Sequence, residues 1–350
     1  MAGRSDSYDP REIKSFLEGA FSRIDLDISA RSVLVKPNLL ASKAPDRAVT
    51  THPDFLRALI ELLVDHSCTV CLGDSPGYES LDRVLRNGGY ADMLRELAVQ
   101  VVPFTKEAVK RGSGISPYRD FLFGEDPDRY EVVINVPKLK THSMMGMTLG
   151  VKNTFGFIRG FAKGRWHLRA GRDRGLFASI LVDIHRLVSP TVTVLDGVVG
   201  MCGDGPSNGD PVTCGIVAVS RDAFALDAFI EGRLCPGVIL PITACAARHG
   251  LIPPYEVIDL GSPPAPARFP MPRTCDTDWN LPRPVKRLLR NLLTRKPKAD
   301  PGTCRLCGIC AEVCPADAIH LGERFPLFDY QACIRCYCCQ EMCPHGAIRT

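Results

Sequence analysis

The sequence predicts an α/β body, a largely parallel sheet covered by helices, with a small α+β unit appended after it. Three observations carry this. Short β-rich runs alternate with amphipathic helical stripes through residues 1–261. Eight of the 28 prolines then fall within residues 262–300, the composition of a connector. Finally, nine of the 16 cysteines crowd between Cys304 and Cys343. The expected division of the 350 residues is therefore a body over 1–261, a basic Pro-rich linker over 262–300 and a tail over 301–350.

Taken in order, the strand-like runs are residues 33–35, 69–72, 99–102, 132–136, 192–195 and 215–219. Between them, Pro53 opens a stretch that sets Phe55, Leu56, Leu59, Leu62 and Leu63 on one helical face. Phe177, Ile180, Leu181, Ile184 and Val188 form a second stripe, and residues 224–230 a third. Strands alternating with such helices bury both faces of a parallel sheet, so these apolar positions read as core.

Composition narrows the function classes. A hydrophobic fraction of 45% with 23% charged residues excludes a disordered chain. No run reaches the ~18 apolar residues of a membrane span, and the first ten residues lack a signal-peptide core. The expectation is a soluble, cytoplasmic protein, in which clustered cysteines point to metal ligation rather than disulfides. The net charge of +4 is uneven: −1 over 1–261, +6 over 262–300 and −1 over 301–350. With neither body nor tail basic, nucleic acid is not an expected partner.

The tail repeats itself. Cys304, Cys307, Cys310 and Cys314 recur as Cys333, Cys336, Cys339 and Cys343, displaced by 29 residues, each run followed by proline. This is the bacterial iron–sulfur spacing, in which three close thiolates wrap one face of a cubane. The fourth cysteine of such a run ligates the other cluster. One [4Fe–4S] cluster is therefore expected on Cys304, Cys307, Cys310 and Cys343. The second falls to Cys333, Cys336, Cys339 and Cys314, with Cys338 a bystander. A four-cysteine zinc site is the competing reading, disfavoured by the doubled spacing. Over residues 301–350 the tail closely resembles a two-cluster bacterial ferredoxin, which implies low-potential electron transfer.

In the body, polar residues gather after the predicted strands, where open α/β sheets bind ligands. Lys36, Asn38, Asp74, Lys152 and Asn153 are the expected substrate-binding residues. Lys138, Lys140, His142 and Asp196 are the expected catalytic ones, the lysines and histidine polarising an anionic substrate and Asp196 orienting a base. His185, beside an apolar stripe, reads as structural. Cys68 and Cys71 point to opposite faces of a strand and do not chelate. Cys202 is placed in a glycine-rich loop, as an exposed thiol or simply a tolerated small residue. No dinucleotide fingerprint, phosphate loop or nucleophile elbow occurs; a bound flavin, lacking one short signature, stays open.

Lys36-Pro-Asn38, Thr51-His-Pro53, Pro137-Lys-Leu-Lys-Thr-His142, Gly150-Val-Lys-Asn153, Asp196-Gly197 and Ser220-Arg-Asp222 together resemble domain-of-unknown-function family 362 over residues 30–235. That family often carries a two-cluster ferredoxin tail. It also often has an acidic residue near Cys202, where this chain departs. The resemblance implies an iron–sulfur protein and no particular substrate.

Between Arg283 and Lys296, Val285, Leu288, Leu289, Leu292 and Leu293 define a short basic amphipathic helix. Docking on the body is its favoured role, ahead of contact with a membrane surface or an acidic partner. The expected function is an oxidoreductase passing electrons from the tail, fed by a redox partner protein, to a small anionic or conjugated substrate in the body. The alternative is a non-enzymatic carrier that docks a partner enzyme. A deep pocket with buried lysines favours the first, and a flat surface the second.

Overall fold

The computed structural model describes residues 1–160, 162–272, 274 and 294–350. The body's strands are β1 (Ala2–Arg4), β2 (Ser32–Pro37), β3 (Thr69–Asp74), β4 (Gln100–Pro103), β5 (Ala108–Arg111), β6 (Asp120–Phe123), β7 (Val132–Val136), β8 (Lys138–His142), β9 (Gly146–Thr148), β10 (Val192–Cys202), β11 (Asp210–Ser220) and β12 (Asp259–Leu260). Its helices are α1 (Pro10–Arg23), α2 (Pro53–Asp65), α3 (Leu81–Asn87), α4 (Ala91–Glu96), α5 (Gly150–Asn153), α6 (Ala162–Ala170), α7 (Arg174–Val188), α8 (Ala223–Leu234) and α9 (Pro241–Arg248). No helix among the described residues is long and apolar enough to cross a membrane.

Ten strands form one mixed sheet in the order β12-β1-β11-β10-β7-β2-β3-β4, with β8 pairing to β10 and β9. Its central pairs are parallel: β2 with β3 and β7, β3 with β4, β10 with β7. Parallel neighbours require crossovers, which α2 supplies between β2 and β3 and α7 supplies before β10. Alternation along the strands sorts side chains into two layers. Val33, Val35, Val70, Leu72 and Ile134 join the core under α1 and α2. Leu34, Cys71 and Val133 face the opposite layer with Ile180 and Ile184 of α7. Cys68 packs beside the first layer and Cys71 in the second, as the strand period requires. His185 is buried against the Phe224 ring, with centroids 5.0 Å apart.

Two elements differ from the sequence reading. The runs at 192–195 and 215–219 are the middles of 11-residue strands, paired antiparallel as a long hairpin. Cys202 therefore ends β10 rather than sitting in a loop. It is 7% exposed, and burial pushes its thiol pKa up, so it is not a reactive surface thiol. Residues 138–142, expected as polar groups following a strand, are the fully buried strand β8, separated from β7 by Pro137 alone. Proline offers no N–H, so the break falls there while β10 continues pairing along both pieces.

In the tail, α10 (Ile309–Glu312) and α11 (Cys338–Glu341) lie within the two cysteine runs, each ending just before the run's last cysteine. The hairpin strands β14 (Ile319–Leu321) and β15 (Pro326–Phe328) lie between the runs, and β13 (Lys298–Ala299) pairs with β16 (Ile348–Arg349), tying the tail's two ends. The amphipathic helix expected between Arg283 and Lys296 lies mostly outside the described residues. The tail packs on the body. Tyr337, 1% exposed, enters the α7 core layer. Arg172 donates to the carbonyls of Cys333, at 2.9 Å, and Gln331, at 3.1 Å. Lys43 Nζ donates to Pro344 O at 2.6 Å, and Asn208 Nδ2 to Gln340 O at 2.8 Å.

Candidate functional site

A cavity of about 240 Å³ opens where β2 and β3 end, between α5, α6 and the tail. At its floor, Lys36 Nζ lies 2.8 Å from Asp74 Oδ1 and donates to Pro37 O at 2.6 Å. Asp74 is itself fixed by accepting from the backbone N–H of Leu39 and of Ser75, each at 2.8 Å. Burial lowers the Lys36 pKa, and the Asp74 charge opposes that shift. Gly156 explains how the pair fits: a Cβ there would stand 2.2 Å from Asp74 Oδ1 and 2.5 Å from Lys36 Cε.

An amide network forms the next wall. Asn38 Nδ2 donates to Asn153 Oδ1 at 3.0 Å, and Asn153 Nδ2 to Asn135 Oδ1 at 2.8 Å. Lys152 comes from α5, whose first turn is held by Asp227 accepting from the N–H of Gly150, at 2.7 Å, and of Val151, at 3.0 Å. Among the described residues nothing hydrogen-bonds or ion-pairs with its ammonium, which lies 5.8 Å from the centre of the Phe155 ring. Burial lowers its pKa, opposed first by the Glu341 carboxylate. Lys36, Asn38, Asp74, Lys152 and Asn153 thus all line one cavity.

The four residues expected to be catalytic do not line it. Lys138 Nζ contacts Asp196 Oδ2 at 2.8 Å and donates to Tyr8 Oη at 2.6 Å, because β8 and β10 pair with Lys138 directly opposite Asp196. Tyr8 Oη in turn donates to Asp196 Oδ1 at 2.9 Å, and its ring stacks on His52, closing a fully satisfied buried cluster. Lys140 Nζ donates to Val49 O at 2.5 Å. His142 Nδ1 accepts from the N–H of Met144 and Met145, which places the neutral ring's proton on Nε2, 2.7 Å from Glu341 Oε1. Burial and then the Lys152 charge pull His142 down to about 4, while the charges around Glu341 hold it ionised, at about 2, against its burial. His142 therefore meets the site through Glu341. Asp222, from the Ser-Arg-Asp motif, is the N-cap of α8, accepting from Ala225 N at 2.8 Å.

Other lining residues escaped the sequence reading. Lys163 and His167 lie on α6, which follows no strand; the only hint was a basic stretch around Trp166. Burial brings Lys163 down to about 8 and His167 to about 3. From the tail come Cys314, Pro315, Cys338, Glu341 and Met342. Cys338, expected to be a bystander, sits in this wall.

The cysteines form two groups. Cys304, Cys307, Cys310 and Cys343 ring a second cavity of about 20 Å³. The charges bearing on Cys339 are those of Cys336, Cys333 and Cys314 before Cys310. A ring that takes three thiols from the first run and Cys343 from the second fits one such cubane built from both runs.

An α/β body closed by a tail with two runs of four cysteines defines a protein that carries an iron–sulfur electron-transfer module. The chain belongs to the family described as Domain of unknown function (DUF362), whose model matches residues 33–230, and a 4Fe-4S dicluster domain matches residues 296–344. It is 35% identical over 255 residues to the thylakoid-associated protein sll1697 of Synechocystis sp., covering 71% of this chain and 76% of that protein. No solved structure matches.

Proposed function

We propose that the chain is an oxidoreductase that exchanges electrons between its 4Fe–4S tail and a small anionic or conjugated molecule in the junction cavity. One observation carries the reading: Cys314 lines the same cavity as Lys36 and Lys152. In this reading Cys304, Cys307, Cys310 and Cys343 hold one cluster and Cys333, Cys336, Cys339 and Cys314 the other. The bound clusters supply single electrons. The protein's own side chains do the remaining work. Lys152, without a partner among the described residues, takes the anionic group through a charge-assisted hydrogen bond. Lys36, held by Asp74, favours negative charge as it builds on the substrate. Lys163, near 8, is suited to deliver a proton at neutral pH. A redox partner protein feeds the tail.

Stopped-flow absorbance of the dithionite-reduced protein, mixed anaerobically with small unsaturated and 2-oxo carboxylates, tests this. An acid that reoxidises the clusters at a saturable rate is expected, with Lys152→Met slowing it at least about tenfold. Reoxidation that is equally fast in the variant, or by no acid at all, would refute it.

A further inference from the structure

The unsatisfied atoms of the junction cavity specify what fills it. Asn38 Oδ1 is shut off from solvent and has no hydrogen-bond partner among the described residues. Its amide nitrogen is already committed to Asn153, so this oxygen is left for a donor from outside the chain, water or ligand. His167, 4% exposed, likewise has an Nδ1 without a partner among the described residues. Its ring is held against Phe177, with centroids 4.2 Å apart and planes at 30°, and edge-on to Phe155, so it cannot turn away to find one. Buried polar atoms left in this state are rare and costly.

Charge sets a second condition. Lys36, Lys152, Lys163 and Arg165 line the cavity. Against them stand Asp74, Glu312 and Glu341, with Cys314 in the same wall, so the cavity holds no surplus of cations to answer a dianion. Lys36 is spent on Asp74 and Lys163 Nζ gives one hydrogen bond to Ser75 O, which leaves Lys152 and the remaining protons of Lys163 for a ligand. Leu39, Phe155 and Met342 supply the apolar wall between these polar ends.

We propose that the cavity takes a singly charged carboxylate whose apolar body carries a hydroxyl group, the carboxylate on Lys152 and Lys163 and the hydroxyl on Asn38 Oδ1. A phosphate monoester brings a second negative charge that no cation here answers, beside Asp74 and Glu341. The proposal rests on the junction cavity being the ligand site, as read above, and not on electron transfer.

Isothermal titration calorimetry on the anaerobic, cluster-loaded, oxidised full chain tests it with matched probes: lactate against propionate, 4-hydroxybenzoate against benzoate, and inorganic phosphate. At least one hydroxy acid is expected to bind about tenfold or more tightly than its partner lacking the hydroxyl, and more tightly than phosphate. Lys152→Met should weaken that acid about tenfold or more; Lys163→Met, measured the same way, serves if the first variant fails to load clusters. Equal binding within both pairs, tighter binding of phosphate, no binding by any acid, or affinities unmoved by both variants would overturn it. A hydroxy acid that binds as expected while no unsaturated or 2-oxo acid reoxidises the reduced clusters sinks the oxidoreductase reading and leaves this one standing. Reoxidation by an unsaturated or 2-oxo acid, with equal binding within both pairs, does the reverse.

Discussion

Lys138 and Lys152 lie fourteen residues apart and have opposite fates. Lys138 is consumed by Asp196 and Tyr8 at 0% exposure, whereas Lys152 faces the cavity, unpaired among the described residues. Removing Lys138 strands a buried carboxylate, so Lys138→Met is expected to cost about 3–5 kcal/mol in urea unfolding, and adding Asp196→Leu should recover part of it. A wild-type midpoint in the single variant would show that the cluster is not structural. His185 provides a test by pH. Burial lowers its folded pKa to about 3, below the ordinary 6.5, so the unfolded chain takes up the proton first. Its stabilising share is complete above about pH 6.5 and is lost as pH falls toward 3, at about 1.4 kcal/mol per pH unit. His142 and His167 act in the same direction. His185→Phe should therefore flatten the fall in stability between pH 6.5 and 4.5 by about one proton's slope; an unchanged slope would refute the assignment.

At the scale of the element, α5 and the turn after it build the binding wall, and Gly156 is the position where a methyl group has nowhere to go. Gly156→Ala is expected to push the Lys36–Asp74 pair apart, costing about 1–3 kcal/mol by thermal or urea unfolding and lowering ligand affinity. The strand ends were legible because Val33–Val35 and Thr69–Leu72 are β-rich runs closed by polar residues, so Lys36, Asn38 and Asp74 could be placed at one edge. Strand β8 was not legible. Lys-Leu-Lys-Thr-His reads as an exposed segment, and only pairing with β10 and the Val49 carbonyl makes it buried. Asp222 before the apolar run of α8 is a capping signal rather than a ligand group. Lys163 and His167 belong to a helix whose position over the crevice is a tertiary fact.

For the whole molecule, the decisive contact is between body and tail, and nothing in the body's sequence announced it. Gly77 is a close point of it: a Cβ there would stand 2.5 Å from Met342 Sδ. Methionine yields to a methyl group, so a larger side chain is needed. Gly77→Leu is expected to loosen the tail without touching its cysteines. Small-angle X-ray scattering should show a larger radius of gyration, ligand affinity should fall, and the electron paramagnetic resonance of the reduced clusters should persist; an unchanged radius would count against a docked tail. The distribution of the thiols has a further consequence, for assembly. Cys343 closes the ring begun by Cys304, Cys307 and Cys310, so the two ends of the tail must meet before that ring exists. In the proposed assignment the other ring needs Cys314 from the first run. Neither half of the repeat can mature alone, and iron should enter in a single cooperative stage. Native mass spectrometry during anaerobic reconstitution should find chains with no iron or eight irons, with four-iron species nearly absent.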